Sequence, residues 1–213
     1  MKHPLLRRAR SARYGLPVSR GMRVGLFGGS FDPAHEGHAH VASTALRRLN
    51  LDRVIWLVSP QNPLKRGRPP ASLPERMEGV RAVAHGPAMI VSDIEARIGS
   101  VFTVDTLRSL KARHPGVRFV WIMGSDSLAN FHRWRGWKRI FREVPVAVVA
   151  RPQGLVTSRF APAAKRFAKA RRPERMAPLL PMMRPPAWTF LHGRLNYASS
   201  TALRAKRAQT VAG

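Results

Sequence analysis

Short apolar runs rich in β-branched residues alternate along this chain with segments that repeat apolar residues at helical spacing. The run at 53–58, RVIWLV, is apolar on both faces after its first residue, as expected for a strand covered by helices on each side. Strands that alternate with helices predict an α/β fold with a single doubly wound parallel sheet. We predict strands at 22–27, 53–58, 88–91, 117–123, 144–150 and 188–191, and helices at 36–49, 73–84, 103–113, 134–142 and 199–208.

Polar turns follow three of these strands. Residues 28–33 (GGSFDP), 59–63 (SPQNP) and 124–126 (GSD) each begin where an apolar run ends. In a doubly wound sheet, ligands bind beyond the carboxyl ends of the strands, in the crevice where the strand order reverses. The three turns therefore mark the expected ligand-binding side of the sheet.

The length of 213 residues predicts one domain. We place this domain at 22–213, with a basic and irregular insertion at about 151–187. Residues 1–21 contain no acidic side chain and are interpreted as a flexible basic extension. Met22 is well placed to be an alternative start.

The charge balance is strongly positive, with 38 Lys and Arg against 11 Asp and Glu and a formal net charge of +27. Charge of this sign fits nucleic acid, an anionic membrane surface or phosphorylated small molecules, and does not choose among them. No apolar run approaches the roughly 20 residues of a membrane-spanning helix. The sequence contains no cysteine, which excludes disulfides, thiolate zinc sites and cysteine nucleophiles and fits a cytoplasmic location.

The turn after the first strand has the features of an anion site. Gly28 and Gly29 let the backbone turn tightly and approach a ligand, and the helix that follows offers free N–H groups. His35 and His38 lie three residues apart at that helix start, where both side chains can reach one phosphate. A zinc site that includes His40 is a weaker alternative, because His40 projects elsewhere on the helix. A tight turn without any ligand is the third interpretation.

A second motif, Ser199, Ser200, Thr201 and Arg204, stands at the start of the last predicted helix. Serine and threonine are good helix N-caps, which explains part of this motif without a ligand. An arginine on the first turn opposes the helix dipole, whereas a bound polyphosphate would favour it. The motif therefore predicts further phosphate contacts.

With these two motifs the sequence resembles the HxGH nucleotidyltransferase superfamily, whose signatures correspond to 35–38 (HEGH) and 199–204 (SSTALR). Within it, the sequence is similar to the bacterial nicotinate-nucleotide adenylyltransferases. The shared segments follow in order from about 22 to 204, at 28–35 (GGSFDPAH), 62–65 (NPLK), 102–107 (FTVDTL), 124–128 (GSDSL), Trp134, Trp137 and 151–152 (RP).

The resemblance implies a Rossmann-like nucleotidyltransferase fold and transfer of the adenylyl group of ATP to nicotinate mononucleotide, which gives the dinucleotide and pyrophosphate. It implies Mg²⁺ bound through the ATP phosphates, and it implies no covalent enzyme intermediate. The catalytic residues implied are His35, His38 and Arg204. The ATP-binding residues implied are Gly28, Gly29, Ser30, Phe31, Gly124, Asp126, Ser199, Ser200 and Thr201, with Gly124 and Asp126 at the ribose.

The same resemblance places nicotinate mononucleotide at another helix start. Backbone N–H groups near Thr103 would receive the nicotinate carboxylate, and Trp134 would stack on the pyridine ring. Arg135 stands where an aromatic residue is often found, and the loop after the second strand lacks the histidine of the family's proline-histidine-lysine pattern. The residues implied for this substrate are Asn62, Lys65, Thr103, Val104, Trp134 and Arg135.

Three alternatives stay open on the sequence. Nicotinamide mononucleotide or phosphopantetheine could replace the acid substrate, although 102–107 and Trp134 argue against phosphopantetheine. A basic nucleic-acid-binding protein with a degenerate form of this fold is the third, and the intact phosphate motifs argue against it. We expect no metal held by protein side chains and no membrane partner, and a homo-oligomer is left open.

Overall fold

A computed structural model describes residues 15–60, 70–201, 203, 204 and 209. Its strands are β1 (Arg23–Gly29), β2 (Arg53–Val58), β3 (Met89–Ser92), β4 (Arg118–Gly124), β5 (Val146–Val149), β6 (Arg171–Arg172) and β7 (Trp188–Leu191). In the described residues these seven strands form one sheet in the order β3-β2-β1-β4-β5-β7-β6, and all neighbouring strands are parallel. The prediction of a single doubly wound parallel sheet is confirmed.

Helices cover both faces of the sheet. The α-helices are α1 (Glu36–Arg48), α2 (Leu73–Arg81), α3 (Ile94–Arg97), α4 (Thr103–Arg113), α5 (Ser125–Asn130), α6 (Trp137–Glu143) and α7 (Pro162–Arg166). Short 3-10 helices occupy Phe131–Arg133, Pro152–Gly154, Thr157–Phe160, Ala168–Ala170 and Glu174–Met182. None of the helices in the described ranges has both the length and the apolar character needed to cross a bilayer.

The two faces of β2 show how the sheet separates two hydrophobic cores. Trp56 belongs to the core under α1 and α2, while Ile55 and Leu57 belong to the core under α3 to α7. Successive side chains of a strand point to opposite faces, so a strand covered on both sides must be apolar throughout. This requirement explains why the strands appear in the sequence as continuous apolar runs.

The strand order reverses at β1. The chain leaves β1 for β2 and β3 on one side and returns to β4 on the other, so β1 is hydrogen-bonded to β2 and to β4. The connections after β1 and β4 therefore diverge to opposite faces and leave a crevice between them at the carboxyl ends of these strands. The crevice is where the sequence predicts the ligand.

Two expectations about local structure are wrong in detail. The helix predicted from Trp134 begins at Trp137, because Gly136 has a left-handed backbone (φ 68°) that interrupts helical geometry. The basic insertion contains several short helices instead of one, and its strand β6 was not anticipated. The sequence did not predict β6 because its two residues are arginines and show no apolar pattern. The strand is held by backbone pairing to β7 and by Arg171, whose guanidinium lies 5.4 Å from the Trp188 ring centroid.

The N-terminal boundary of the packed domain also differs from the predicted one. Leu16 is 7% exposed and belongs to the core under α3 to α7, and Val18 packs against the same core. The backbone N–H of Gly21 donates to the carbonyl oxygen of Gly116 over 2.8 Å. The prediction that 1–21 is an extension is therefore wrong for 16–21, which packs on the domain, while the prediction for 1–14 lies outside the described residues.

Replacing Leu16 by alanine should lower the free energy of unfolding by about 2 kcal/mol, because a buried side chain is lost and a cavity remains. Val156→Ala is the control, since Val156 is 68% exposed and should change stability by less than about 0.5 kcal/mol. Urea unfolding of both variants measures the difference. Equal effects would contradict the assignment of Leu16 to the core.

Candidate active site

A cleft of about 400 Å³ opens at the carboxyl ends of β1 and β4 and extends past the end of β2 to the start of α4. Its walls combine residues from the turns after these strands with residues from helix starts. The lining residues are Phe27, Gly28, Gly29, Ser30, Phe31, His38, Val41, Ser59, Glu95, Val101, Phe102, Thr103, Gly124, Asp126, Ser127, Arg133, Trp134, Arg135, Arg151 and Ser200.

The turn after β1 forms one wall of the cleft. Gly28 leaves no room for a side chain, because a Cβ there would collide with the indole of Trp121 on β4. Arg76 of α2 donates from Nη1 to the carbonyl oxygen of Ser30 over 2.9 Å, and Phe31 is buried. These contacts hold the turn against the sheet with its backbone along the cleft.

His35 and His38 have different positions. His35 is the N-cap of α1, and its Nδ1 accepts a hydrogen bond of 3.0 Å from the backbone N–H of Gly37. His35 is 5% exposed and is not among the described residues that line the cleft, whereas His38 is. The two rings lie 3.9 Å apart between centroids, at an interplanar angle of 35°. His38 is therefore the histidine that lines the cleft, and the buried ring of His35 packs against it.

Burial lowers the pKa of His35 from 6.5 to about 4, with a further lowering by the positive charge of Arg151 and an opposing effect of Asp126. The ring is therefore neutral at pH 7. Because Nδ1 accepts from Gly37, the proton of the neutral ring is on Nε2.

An ion pair lies at the end of β4. Arg151 Nη1 is 3.3 Å from Asp126 Oδ2, and Arg151 Nη2 donates to the carbonyl oxygen of Ala198 over 2.8 Å. A Cβ at Gly124 would collide with Asp126 Oδ1 and Arg151 Cδ, so a side chain at this position would displace the ion pair. Asp126 Oδ1 is buried and has no hydrogen-bond partner among the described residues. This oxygen is unpaired but buried, so the carboxylate would have to turn for it to accept from a ligand hydroxyl in the cleft.

The C-terminal motif packs onto the turn after β1. Ser200 Oγ donates to the carbonyl oxygen of Pro33 over 3.0 Å, and Arg204 Nη1 donates to the carbonyl oxygen of Asp32. Arg204 Nη2 also donates to Thr201 Oγ1 over 3.2 Å. These contacts bring the two predicted phosphate motifs together in space, although the motifs lie near opposite ends of the domain in the sequence.

The start of α4 forms the opposite wall. Phe102 is the N-cap of this helix, and no side chain caps the first turn, so the N–H groups there can receive an anion. The guanidinium of Arg135 lies 4.4 Å from the centroid of the Phe102 ring. Thr103 and Trp134 line the cleft, whereas Val104 is buried in the core.

Most of the predicted site residues therefore converge on one cleft. Those that line it are Gly28, Gly29, Ser30, Phe31, His38, Thr103, Gly124, Asp126, Trp134, Arg135 and Ser200. His35, Val104, Ser199, Thr201 and Arg204 are described but are not among its lining residues. Asn62 and Lys65 lie outside the described residues. The individual role of each residue toward a substrate stays a prediction.

Three charged lining residues were assigned no role in the site from the sequence, although Arg151 belongs to the shared segment 151–152: Glu95, Arg133 and Arg151. Arg151 follows β5 almost directly, so the strand-end rule applied to the other strands would have found it. Glu95 is one of 11 acidic residues in a strongly basic chain, and this rarity was a usable signal. Arg133 carries no signal that separates it from the other arginines.

His40 is separated from the site. It lines a second cleft together with Glu36 and His85. Across the ranges that the structure describes, no group of three or more His, Cys, Asp or Glu side chains is placed to hold a metal ion. The zinc alternative therefore has no ligand set in this part of the chain.

Comparison with known proteins gives consistent results. The cytidylyltransferase-like family model matches residues 26–206. A Caulobacter sp. (strain K31) protein named "Probable nicotinate-nucleotide adenylyltransferase" is 64% identical over 88% of this chain and 100% of its own length. A Cereibacter sphaeroides protein of the same name is 55% identical over 86% of this chain and 97% of its own. A solved Plasmodium falciparum nicotinic acid mononucleotide adenylyltransferase complexed with NaAD has a TM-score of 0.65 at 16% identity and covers 85% of this chain and 82% of its own. This last likeness shows the fold.

The lowered pKa of His35 predicts how stability depends on pH. Between pH 6.5 and about 4 the unfolded chain binds a proton at His35 and the folded chain does not, so stability falls as the pH falls through this range. His35→Asn retains a good N-cap and removes the titration. Its unfolding free energy should therefore fall less steeply than that of the wild type, and urea unfolding at several pH values checks this.

Other groups, such as His114, contribute a pH dependence that is common to both proteins and cancels in the difference. Parallel curves for the wild type and His35→Asn would contradict a neutral, buried His35.

Proposed function

The chain belongs to the cytidylyltransferase-like family and, within it, to the nicotinate-nucleotide adenylyltransferases, and from this premise we propose how its cleft transfers the adenylyl group of ATP to nicotinate mononucleotide. The products are nicotinate adenine dinucleotide and pyrophosphate, a step of NAD biosynthesis. The observation that supports the proposal most directly is the cleft itself, because it joins the glycine turn and His38 to the uncapped start of α4.

The reaction is an in-line displacement at phosphorus. A phosphate oxygen of nicotinate mononucleotide attacks the α-phosphorus of ATP, the bond to the bridging oxygen breaks, and pyrophosphate leaves with that electron pair. The nucleophile is already an anion, so the protein contributes positions and positive charge and needs no general base. Three arginines in the cleft lining, Arg133, Arg135 and Arg151, supply part of that charge.

ATP fits along the turn after β1. The backbone at Gly28 and Gly29 and the start of α1 face its phosphates, and His38 donates to the charge that develops during transfer. Ser200 and Arg204, which pack on the same turn, would hold the outgoing pyrophosphate. The carboxylate of Asp126, which lines the cleft, would accept a ribose hydroxyl.

In this proposal Mg²⁺ is bound by the phosphates of ATP. Of the two carboxylates that line the cleft, Asp126 pairs with Arg151 through Oδ2, and both oxygens of Glu95 accept from the hydroxyls of Ser59 and Thr106. The phosphate oxygens would therefore hold the ion, which supplies charge neutralisation when bound.

Nicotinate mononucleotide fits the opposite wall. Its carboxylate would accept from backbone N–H groups at the start of α4 near Thr103, and Trp134 offers a face for the pyridine ring. Contacts from Asn62 and Lys65 stay predictions, as do Ser199 and Thr201 at the phosphates. A cytoplasmic location is also part of the proposal, since a chain without cysteine suits a reducing compartment.

His38→Ala should lower kcat by about 100-fold or more, the effect of removing one preorganised donor, without a matching loss of melting temperature. His40→Ala is the matched control, since His40 is also half-buried on α1 but lines the second cleft. Its kcat should stay within about twofold of the wild type. A His38→Ala variant with unchanged kcat would contradict the catalytic assignment.

The acid substrate should be preferred over the amide. A carboxamide would turn an NH2 donor toward the N–H donors at the start of α4, and an unpaired buried donor costs roughly 1–3 kcal/mol. A pyrophosphate-release assay with nicotinate mononucleotide, nicotinamide mononucleotide and phosphopantetheine should therefore show at least a 10-fold higher kcat/KM, on the order expected from that cost, for the acid. Equal values for acid and amide, or faster release with phosphopantetheine, would overturn the substrate assignment.

Arg135 should contribute to this preference, because its guanidinium lies over Phe102 at the N-cap of α4. Arg135→Gln should lower the ratio of acid to amide kcat/KM by about two- to fivefold, the scale of an exposed charge interaction. Arg139→Gln is the control, because Arg139 is exposed on α6 and is not a lining residue of the cleft in the described structure. The control should leave the ratio unchanged.

A further inference from the structure

Glu95 is a buried carboxylate at the edge of the cleft. It lies on the short helix α3 after β3, is 5% exposed, and is the only acidic residue that is buried in the described part of the chain. No ion pair in the described residues includes it. Burial raises the pKa of Glu95, against the opposing effect of hydrogen bonds from Ser59 and Thr106. An apolar side chain would fill this space without that desolvation cost.

The partners of Glu95 come from two different walls of the cleft. Ser59 Oγ, just after β2, donates to Oε2 over 2.8 Å. Thr106 Oγ1, in the first turns of α4, donates to Oε1 over 3.1 Å. Ser100 Oγ lies 2.8 Å from Thr106 Oγ1 and 3.2 Å from the carbonyl oxygen of Phe102, which is the N-cap of α4. Glu95 therefore connects the end of β2 to the start of α4.

The connection continues to the turn after β1. Arg76 is 4% exposed, and its Nη1 donates to the carbonyl oxygens of Ser59, over 2.7 Å, and Ser30, over 2.9 Å. We call Arg76, Ser59, Glu95 and Thr106 the buried polar chain, in which Arg76 donates to the carbonyl oxygen of Ser59 and the hydroxyls of Ser59 and Thr106 donate to Glu95. It runs along the wall of the cleft, where Ser59 and Glu95 are lining residues, from the glycine turn to the start of α4.

We propose that Glu95 is a positioning residue, which through the buried polar chain fixes the start of α4 relative to the glycine turn. The inference rests on the proposed function, in which these two walls bind the two substrates. The turn binds the ATP phosphates, and the helix start binds the nicotinate carboxylate. The distance between them decides whether the attacking phosphate oxygen reaches the α-phosphorus, and a displacement of about 1 Å can cost on the order of 100-fold in rate.

The contacts of α4 explain why this position needs support. No side chain caps its first turn. The N-cap residue Phe102 is held instead through its carbonyl oxygen, which accepts from Ser100 Oγ, and Ser100 Oγ is in turn hydrogen-bonded to Thr106 Oγ1. Both oxygens of Glu95 already accept hydrogen bonds from protein hydroxyls. Glu95 therefore acts on the substrate through α4.

The test compares Glu95→Gln, Thr106→Val and the double variant with the wild type. Glutamine has nearly the shape of glutamate but replaces one acceptor oxygen by a donor, and valine removes only the hydroxyl of Thr106. Thr189→Val is the matched control, because Thr189 is also fully buried and donates to the carbonyl oxygen of Arg172, and it is not a lining residue of the cleft in the described structure. Melting temperature, kcat, and KM for each substrate are measured for all five proteins.

Each single variant should lower kcat/KM for nicotinate mononucleotide by about 10-fold, with KM for ATP within about twofold of the wild type. The kcat/KM of the double variant should be at most about twofold lower than that of the less active single variant, because both changes break the same connection. The ratio of acid to amide kcat/KM should also fall. Thr189→Val should change only the melting temperature.

Two results would overturn the inference while the wild type remains active. One is a loss of stability in the Glu95→Gln and Thr106→Val variants with both KM values and the acid-to-amide ratio unchanged. The other is a double variant whose loss equals the product of the single losses. If Glu95→Gln does not fold, Ser59→Ala breaks the same chain on its other side and is judged by the same outcomes. A wild type without activity on nicotinate mononucleotide would instead contradict the proposed function.

Discussion

Hydrogen bonding of β1 to strands on both of its sides is the constraint on which the cleft depends. In register, Gly29 pairs with Val58 of β2, and Phe27 pairs with Ile122 of β4. The carboxyl ends of the three strands therefore lie level, and the turns that follow them meet at one edge of the sheet. Because the connections after β1 and β4 diverge to opposite faces, the space between them stays open for a ligand.

The first turns of the two helices at this edge, α1 and α4, are held in place by different contacts. At α1, His35 caps the helix with its own Nδ1 and its ring packs against that of His38, so the first turn is held by adjacent residues. At α4 no side chain caps the first turn, and support comes from Glu95 through Thr106. An uncapped start leaves its N–H groups for a carboxylate, but its position then depends on contacts from other segments.

Part of the positive charge of the chain has a defined geometry inside the cleft. Arg151 is buried and oriented by Asp126 and by the carbonyl oxygen of Ala198, and Arg135 rests on the ring of Phe102. Fixed cations in a concave site stabilise phosphate charge more than solvated surface cations do. The surplus over the rest of the surface attracts anions without selecting among them.

The sequence by itself determined the parallel α/β sheet, six of the seven described strands to within about two residues, and the glycine turn with its histidines, because periodicity and strand-to-helix turns are local signals. Only the tertiary structure decided that Leu16 joins the core and that Arg151 pairs with Asp126. It also showed that Arg76 bonds to Ser30, 46 residues away, and that Arg151 bonds to Ala198, 47 residues away. Such contacts join segments that become neighbours only when the sheet has formed, so no spacing along the chain records them.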